Sequence, residues 1–318
     1  MRGAIAAGLV SLVLTAAGAL AEPVRVLATV GMIGDLAGRV GGDCAEVKVL
    51  IGPGNDPHLF QPRASDIGRL QEAQVVFHLG LNLEGRLGSV LARLARDRQV
   101  AALGEVAIPP AELLGADGAP DPHLWMDVSL WSRLVPTIAA ELARARPACQ
   151  ADLDSRAAEL QAELAALHAW AAESLASIPE HARVLVTAHD AFGYFARAYG
   201  LRQLAIQGFS TESEASVADI RAVAAEVVAA GVPAVFVEST INPRSIQAML
   251  EAVQAAGGRA DLGASLFSDA MGAEGTPEGT YIGMIRWNVR AIVAALGGTA
   301  APWPEALRPW AERHKVAP

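Results

Sequence analysis

The sequence predicts an α/β protein of two lobes, each a mainly parallel four-stranded sheet flanked by helices, joined by one long rigid helix. Three observations predict it. Short β-branched runs alternate with helical patterns through both halves of the 318-residue chain, the order that right-handed crossovers and parallel sheets require. A glycine-free stretch with helical periodicity separates the halves. Hydrophobic residues make up 52% and charged residues 19%, enough apolar material for a large core and too much for a disordered chain.

The remaining composition narrows the function classes. Thirty glycines and 18 prolines exclude a collagen-like or low-complexity chain. A net charge of -9 with no basic run argues against nucleic acid as a partner. Two cysteines are too few for a disulfide scaffold or an all-cysteine zinc site. One bridge between Cys44 and Cys149 is open on this evidence, because sequence gives no distance.

Taken in order, residues 1–21 read as a signal peptide. Arg2 is the positive n-region, Gly8 to Ala19 the apolar stretch, and Ala19-Leu20-Ala21 the cleavage site. Cleavage after Ala21 would export the chain to a periplasm, with no lipid anchor because no cysteine lies nearby; a retained membrane anchor is the alternative. The N-terminal lobe is expected over 22–146, with strands at Val24–Val30, Glu46–Ile51, Val75–Leu79 and Gln99–Leu103. Helices at Ala64–Ala73 and Leu83–Ala95 fall between them. Residues 147–178 form the connecting helix, with an apolar stripe of Leu153, Ala157, Leu160, Leu164, Leu167 and Ala171. Pro147 suits its first turn and Pro179 its stop. About 30 residues at roughly 1.5 Å each give a rod of about 45 Å, long enough to bridge two lobes. The C-terminal lobe is expected over 179–318, with strands at Arg183–Thr187, Gln203–Ile206, Ala234–Glu238 and Arg259–Leu262. Its helices are Ala191–Tyr199, Ser216–Ala230, Pro243–Ala256 and Gly279–Leu296. The most apolar later stretch, Ala222 to Val237, is interrupted by Glu226, Gly231 and Pro233, so the mature chain is expected to be soluble.

The chemistry lies in the histidines. Two share a local sequence, Asp56-Pro57-His58-Leu59-Phe60 and Asp121-Pro122-His123-Leu124-Trp125. Proline fixes its own φ and restricts the residue before it, so each segment is a stiff loop that holds its imidazole at little entropic cost. A third histidine, His189, sits where a predicted strand gives way to a helix, and Asp269 lies beyond the last strand. All four follow the carboxyl ends of predicted parallel strands, the edge where open α/β sheets bind ligands. Two come from each half, so they can meet only in a cleft between lobes. Three neutral imidazoles and one carboxylate suit four-coordinate zinc.

The segments Gly54 to Pro62, Asp121 to Asp127, His189 to Phe195 and Ser268 to Gly272 resemble the zinc/manganese solute-binding proteins of ABC importers, the TroA-like cluster. So do Phe236 to Arg244 and Thr280-Tyr281, in order along essentially the whole mature chain. The resemblance implies two lobes, a rigid connecting helix and one metal held between them by His58, His123, His189 and Asp269. It implies a receptor rather than an enzyme, acting as a monomer that hands its cargo to an ABC permease and its ATPase, with a periplasmic metallochaperone as a further partner. Release would follow when the permease draws Asp269 and His189 away. Some manganese-type members carry Glu where His189 stands, and a nitrogen donor there leans toward zinc. The His-rich loop of many zinc members is absent: only Gly104 to Pro120 lies between the first two ligands. Manganese, or a mixed-metal receptor, is the alternative cargo.

Glu238, at the end of a predicted strand, is expected to orient an imidazole by accepting from its free N–H, or else to pair with Arg244. Asp56, Asp121 and Asp190 each neighbour one of these histidines and are expected to cap turns or to orient the rings, with turn caps the favoured reading for the first two. His78 reads as a buried or edge residue, and His168, His181 and His314 as surface residues. Two other functions use the same residues. A zinc hydrolase would take His58, His123 and His189 as ligands, with Glu238 or Asp269 as general base beside an open coordination position. A surface adhesion protein would use the metal as a structural staple.

Overall fold

The computed structural model describes residues 22–116 and 118–317; the segment 1–21, read from the sequence as a signal peptide, lies outside them. The first half holds one four-stranded sheet. Strands β1 (Val24–Val30), β2 (Ala45–Ile51), β3 (Val75–His78) and β4 (Gln99–Ala102) pair in the order β2-β1-β3-β4. Every pairing is parallel, with Val26 opposite both Val47 and Val75. β1 is buried along nearly its whole length, which is why it reads as a continuous apolar run rather than an alternating one.

The second half keeps the parallel pattern with shorter ladders. Strand Val184–His189 pairs with Arg202–Gln207, and Ala234–Val235 with Asp261–Leu262. The expected fourth strand is therefore two residues long, and the third stops at Val235 rather than Glu238. Phe236 donates its N–H to Val186 O at 2.8 Å and so ties the two pairs together. Glu238 then meets Leu266 in an isolated parallel bridge. Gly263, where a Cβ would come within 2.5 Å of the Phe236 ring, lets the chain pass close enough for its N–H to reach Val235 O at 2.8 Å.

The connecting helix begins with a 3-10 turn at Pro147–Cys149 and continues as Gln150–Ala176, 27 residues or about 40 Å. All six residues of the expected stripe are buried, with Trp170 and Leu175 beside them. Near its start, Arg156 donates to the carbonyls of Val40 and Gly41. Toward its end, Trp170 Nε1 donates to Ala301 O and the Ser174 hydroxyl accepts from Ala301 N. The helix thus bonds to both halves. The main apolar core lies beside it and draws residues from both halves, while a second, separate core packs Val186, Ile206, Val227 and Met249 within the C-terminal half. Cys44 and Cys149 form a disulfide, their Cα atoms 6.3 Å apart, which fastens the end of β2's approach to the start of the long helix. Among the described residues no helix is long and apolar enough to cross a membrane.

Candidate metal centre

One strand end and three loops deliver four side chains to one point; His123 follows a short antiparallel pair, Gly115–Ala116 with Ala119–Pro120, and not a parallel strand as expected. His58 stands in the loop after β2 and His123 in the loop before the 3-10 turn Leu124–Met126. His189 is the last residue of its strand, and Asp269 follows the Glu238–Leu266 bridge. All four are buried, none more than 4% exposed. One ligand atom from each lies within 4.8 Å of the others.

The spacings are informative. His123 Nε2 is 3.3 Å from His58 Nε2 and 3.1 Å from His189 Nε2. Asp269 places Oδ1 3.2 Å from His123 Nε2 and Oδ2 3.4 Å from His189 Nε2. Neither Asp269 oxygen accepts a hydrogen bond within the described residues, though both are buried. A buried carboxylate without donors and three converging ring nitrogens are costly on their own. Zinc bonds of about 2.0–2.1 Å put neighbouring tetrahedral donors about 3.3–3.4 Å apart. The four atoms fit a cation at their centre.

Supports behind the ligands fix which ring nitrogen faces inward. The Asp121 carboxylate accepts from His123 Nδ1 at 2.7 Å and from the His123 backbone N–H at 2.9 Å through the same oxygen. Gly208 C=O accepts from His189 Nδ1 at 2.9 Å. A carbonyl can only accept, so His189 carries its proton on Nδ1 and presents the Nε2 lone pair to the site. Trp125 Nε1 donates to Ser268 O at 2.8 Å and Tyr281 OH to Trp125 O at 2.7 Å. Those bonds carry the His123 loop across to the segment that bears Asp269.

Electrostatics differ ligand by ligand. Burial pushes the His58 pKa down to about 4. Burial acts the same way on His123, but the adjacent Asp121 and Asp269 carboxylates outweigh it and raise the pKa to about 10. His189 is raised as well, Asp269 overcoming its burial. Burial favours protonation of Asp269, yet His189 and His123 hold its carboxyl well below the usual range.

The expected role of Glu238 needs correction. Its carboxylate accepts from the backbone N–H groups of Ala188 (3.2 Å) and His189 (2.9 Å), not from a ring. Gly208 has already taken the ring N–H, so Glu238 holds the strand end that carries His189. Burial raises its pKa to about 7. Asp56 and Asp121 do cap their turns, accepting from His58 N and His123 N. Asp121 also reaches the ring, so it fills both of the expected roles at once. His168 is half-buried and meets the Tyr199 hydroxyl at 3.2 Å, rather than lying on the surface; His181 is exposed. Glu84 was not legible: it is buried and accepts from Thr29 Oγ1, Leu79 N and Gly80 N, shaping the turn beside His58. A cavity of about 470 Å³, lined by Asn82, Arg86, Phe209 and Glu212 among others, opens onto His58 alone of the four.

Comparison with known proteins gives concordant results. The sequence profile of a zinc-uptake complex component A, periplasmic, matches residues 26–295. The zinc-binding protein TroA of Treponema pallidum (strain Nichols) is 42% identical over 272 residues, covering 85% of this chain and 88% of its own. The manganese-binding lipoprotein MntA of Bacillus subtilis (strain 168) is 39% identical over 277 residues, covering 86% and 90%. The solved structure of the periplasmic zinc binding protein TroA from Treponema pallidum superposes with a TM-score of 0.84 at 41% identity, covering 86% of this chain and 99% of that one.

Proposed function

The chain belongs to the family of periplasmic zinc-uptake component A proteins, and from that premise we propose that it captures zinc at His58, His123, His189 and Asp269 and delivers it to an ABC importer. The observation that carries this reading is the buried quartet itself, one ligand atom of each within 4.8 Å of the others, with His123 Nε2 3.1–3.3 Å from its three neighbours, close to the donor spacing around a tetrahedral zinc. Four protein donors fill such a shell and leave no position for a reactive water, the arrangement of a receptor and not of a hydrolase. The division of labour we assign is an N-terminal lobe over 22–146, a connecting helix over 147–178 and a C-terminal lobe over 179–318.

Members of this family work outside the cytoplasmic membrane with an ABC permease and its ATPase. For this chain we assign cleavage after Ala21, a free periplasmic monomer without a lipid anchor, and loading that a metallochaperone can assist. Manganese is the second reading. MntA is named for it, and both Asp269 oxygens are free to bind, which would add a fifth donor for a harder ion. The nitrogen donor at His189 favours zinc.

The test is a competitive titration of chelator-stripped mature protein with zinc and manganese against calibrated indicators. One zinc per chain, held against a large excess of manganese, is the expected result. Comparable tight binding of manganese would move the assignment to a mixed-metal receptor. Failure to bind any divalent ion with the four residues intact would overturn the metal reading.

A further inference from the structure

Among the described residues, one side-chain hydrogen bond ties the turn that begins the His58 loop to the second half of the molecule. Thr211 Oγ1 donates to Asp56 Oδ2 at 2.5 Å. The other Asp56 oxygen accepts from the His58 backbone N–H at 2.8 Å, so the hydroxyl acts two bonds away from a ligand. Thr211 is itself buried, 7% exposed. Its segment is braced from behind, because Gln207 Nε2 donates to Thr211 O and Ser213 O. That same segment contains Gly208, whose carbonyl fixes the His189 ring. One short stretch, 207–213, therefore sets the ring of His189 and the backbone of His58.

We propose that Thr211 is a positioning residue, a latch whose hydroxyl ties the His58 loop to the His189 support and sets how long the metal stays bound. The proposal rests on the metal reading above. The latch is a single neutral-to-charged hydrogen bond, strong enough to order a loop and weak enough to break during transfer. His123 has no such weak point: Asp121, Trp125 and Tyr281 all hold its loop. The main apolar core draws on both halves and the long helix bonds to each, which makes loops cheaper to move than whole halves. Release then begins at His58, beside the cavity, and not by withdrawal of His189 and Asp269.

The experiment compares wild type, Thr211→Val and Thr211→Ser. Valine keeps the shape and deletes the hydroxyl; serine keeps the hydroxyl. Zinc dissociation is followed by stopped flow against a chromophoric chelator, and amide exchange of residues 55–60 is followed in the metal-free protein. Thr211→Val should release zinc about tenfold or more faster and exchange faster in the 55–60 loop, with Thr211→Ser restoring both. Adding Thr211→Val to an Asp56→Ala background should change neither readout further. A Thr211→Val protein with wild-type release and exchange overturns the latch and leaves the metal reading standing. Loss that serine does not rescue would assign Thr211 to packing and also overturn it. Wild-type protein that takes up no zinc would remove the metal reading and the latch together.

Discussion

The two Asp-Pro-His loops begin from nearly the same five residues and end in different surroundings. Asp121 turns one oxygen onto both the backbone and the ring of His123, while Asp56 serves the His58 backbone with one oxygen and Thr211 with the other. Leu124 is fully buried and Leu59 is 52% exposed. Trp125 donates across to Ser268, whereas Phe60 is half-buried and its ring has no polar handle. The local sequence makes a stiff loop in both places. What the loop leans on makes one an anchor and the other an adjustable arm.

The largest test of this contrast removes each ring. His123→Ala should weaken zinc binding by about a thousandfold or more, beyond the tenfold to hundredfold expected from losing a supporting contact, since it also strips Asp121 and Asp269 of their shared partner. His58→Ala should cost less, because no hydrogen bond to His58 Nδ1 is made among the described residues. Competitive titration reads both, and a larger loss at His58 would reverse the assignment of anchor and arm.

The neighbouring leucines test the same contrast in stability. Leu124→Ala should destabilise the metal-free protein by about 2–5 kcal/mol through the cavity it leaves. Leu59→Ala should stay within about 0.5 kcal/mol. Denaturant unfolding measures both, and a cost at Leu59 equal to that at Leu124 would show that its loop is packed in solution.

These particulars mark what a sequence can carry. The apolar run of β1, the stripe from Leu153 to Ala171 and the convergence of His58, His123, His189 and Asp269 are legible, because burial leaves an apolar trace and metal chemistry narrows the residue types. The last two C-terminal strands read longer in the sequence than they are and the first two shorter: Phe236 and Val237 look like strand residues, yet regular pairing stops at Val235 and only the isolated Glu238–Leu266 bridge continues it. Glu238 was placed near the correct strand end with the wrong partner, since sequence does not say that a backbone carbonyl has already claimed the ring N–H. Thr211 left no signal at all: a threonine in a polar loop acquires meaning only when a distant carboxylate, 155 positions away, is 2.5 Å from its hydroxyl.

A smaller effect separates the two aspartates. Asp121→Asn should lower zinc affinity by about tenfold to a hundredfold, the usual consequence of losing a carboxylate behind a ligating imidazole. Asp56→Asn should cost less than about tenfold, because its amide oxygen can still cap the turn and its NH2 can still meet Thr211. Equal losses in a titration of the two variants would mean that Asp121 acts on the turn alone.

The smallest effect is a proton. In the metal-free protein the two carboxylates outweigh burial and raise the His123 pKa from 6.5 to about 10, so its ring holds a proton at neutral pH that metal must displace. Burial lowers His58 to about 4, so that ring is already neutral and gives up nothing. The signs for folding are opposite. The His123 contribution to stability is fully present below pH 6.5 and is lost as pH rises through about 10. The His58 contribution is present above 6.5 and is lost as pH falls through about 4. For binding, zinc affinity should rise by at least about tenfold per pH unit between about pH 7 and 9, His123 giving up one proton and His189, raised as well, adding to the slope wherever it is protonated. Calorimetry in buffers of different ionisation enthalpy should count that proton directly, and Asp121→Asn should reduce the count because it removes the nearer of the two charges. A proton count that stays at zero would mean that His123 is already neutral before metal arrives, and that the two loops differ in packing alone.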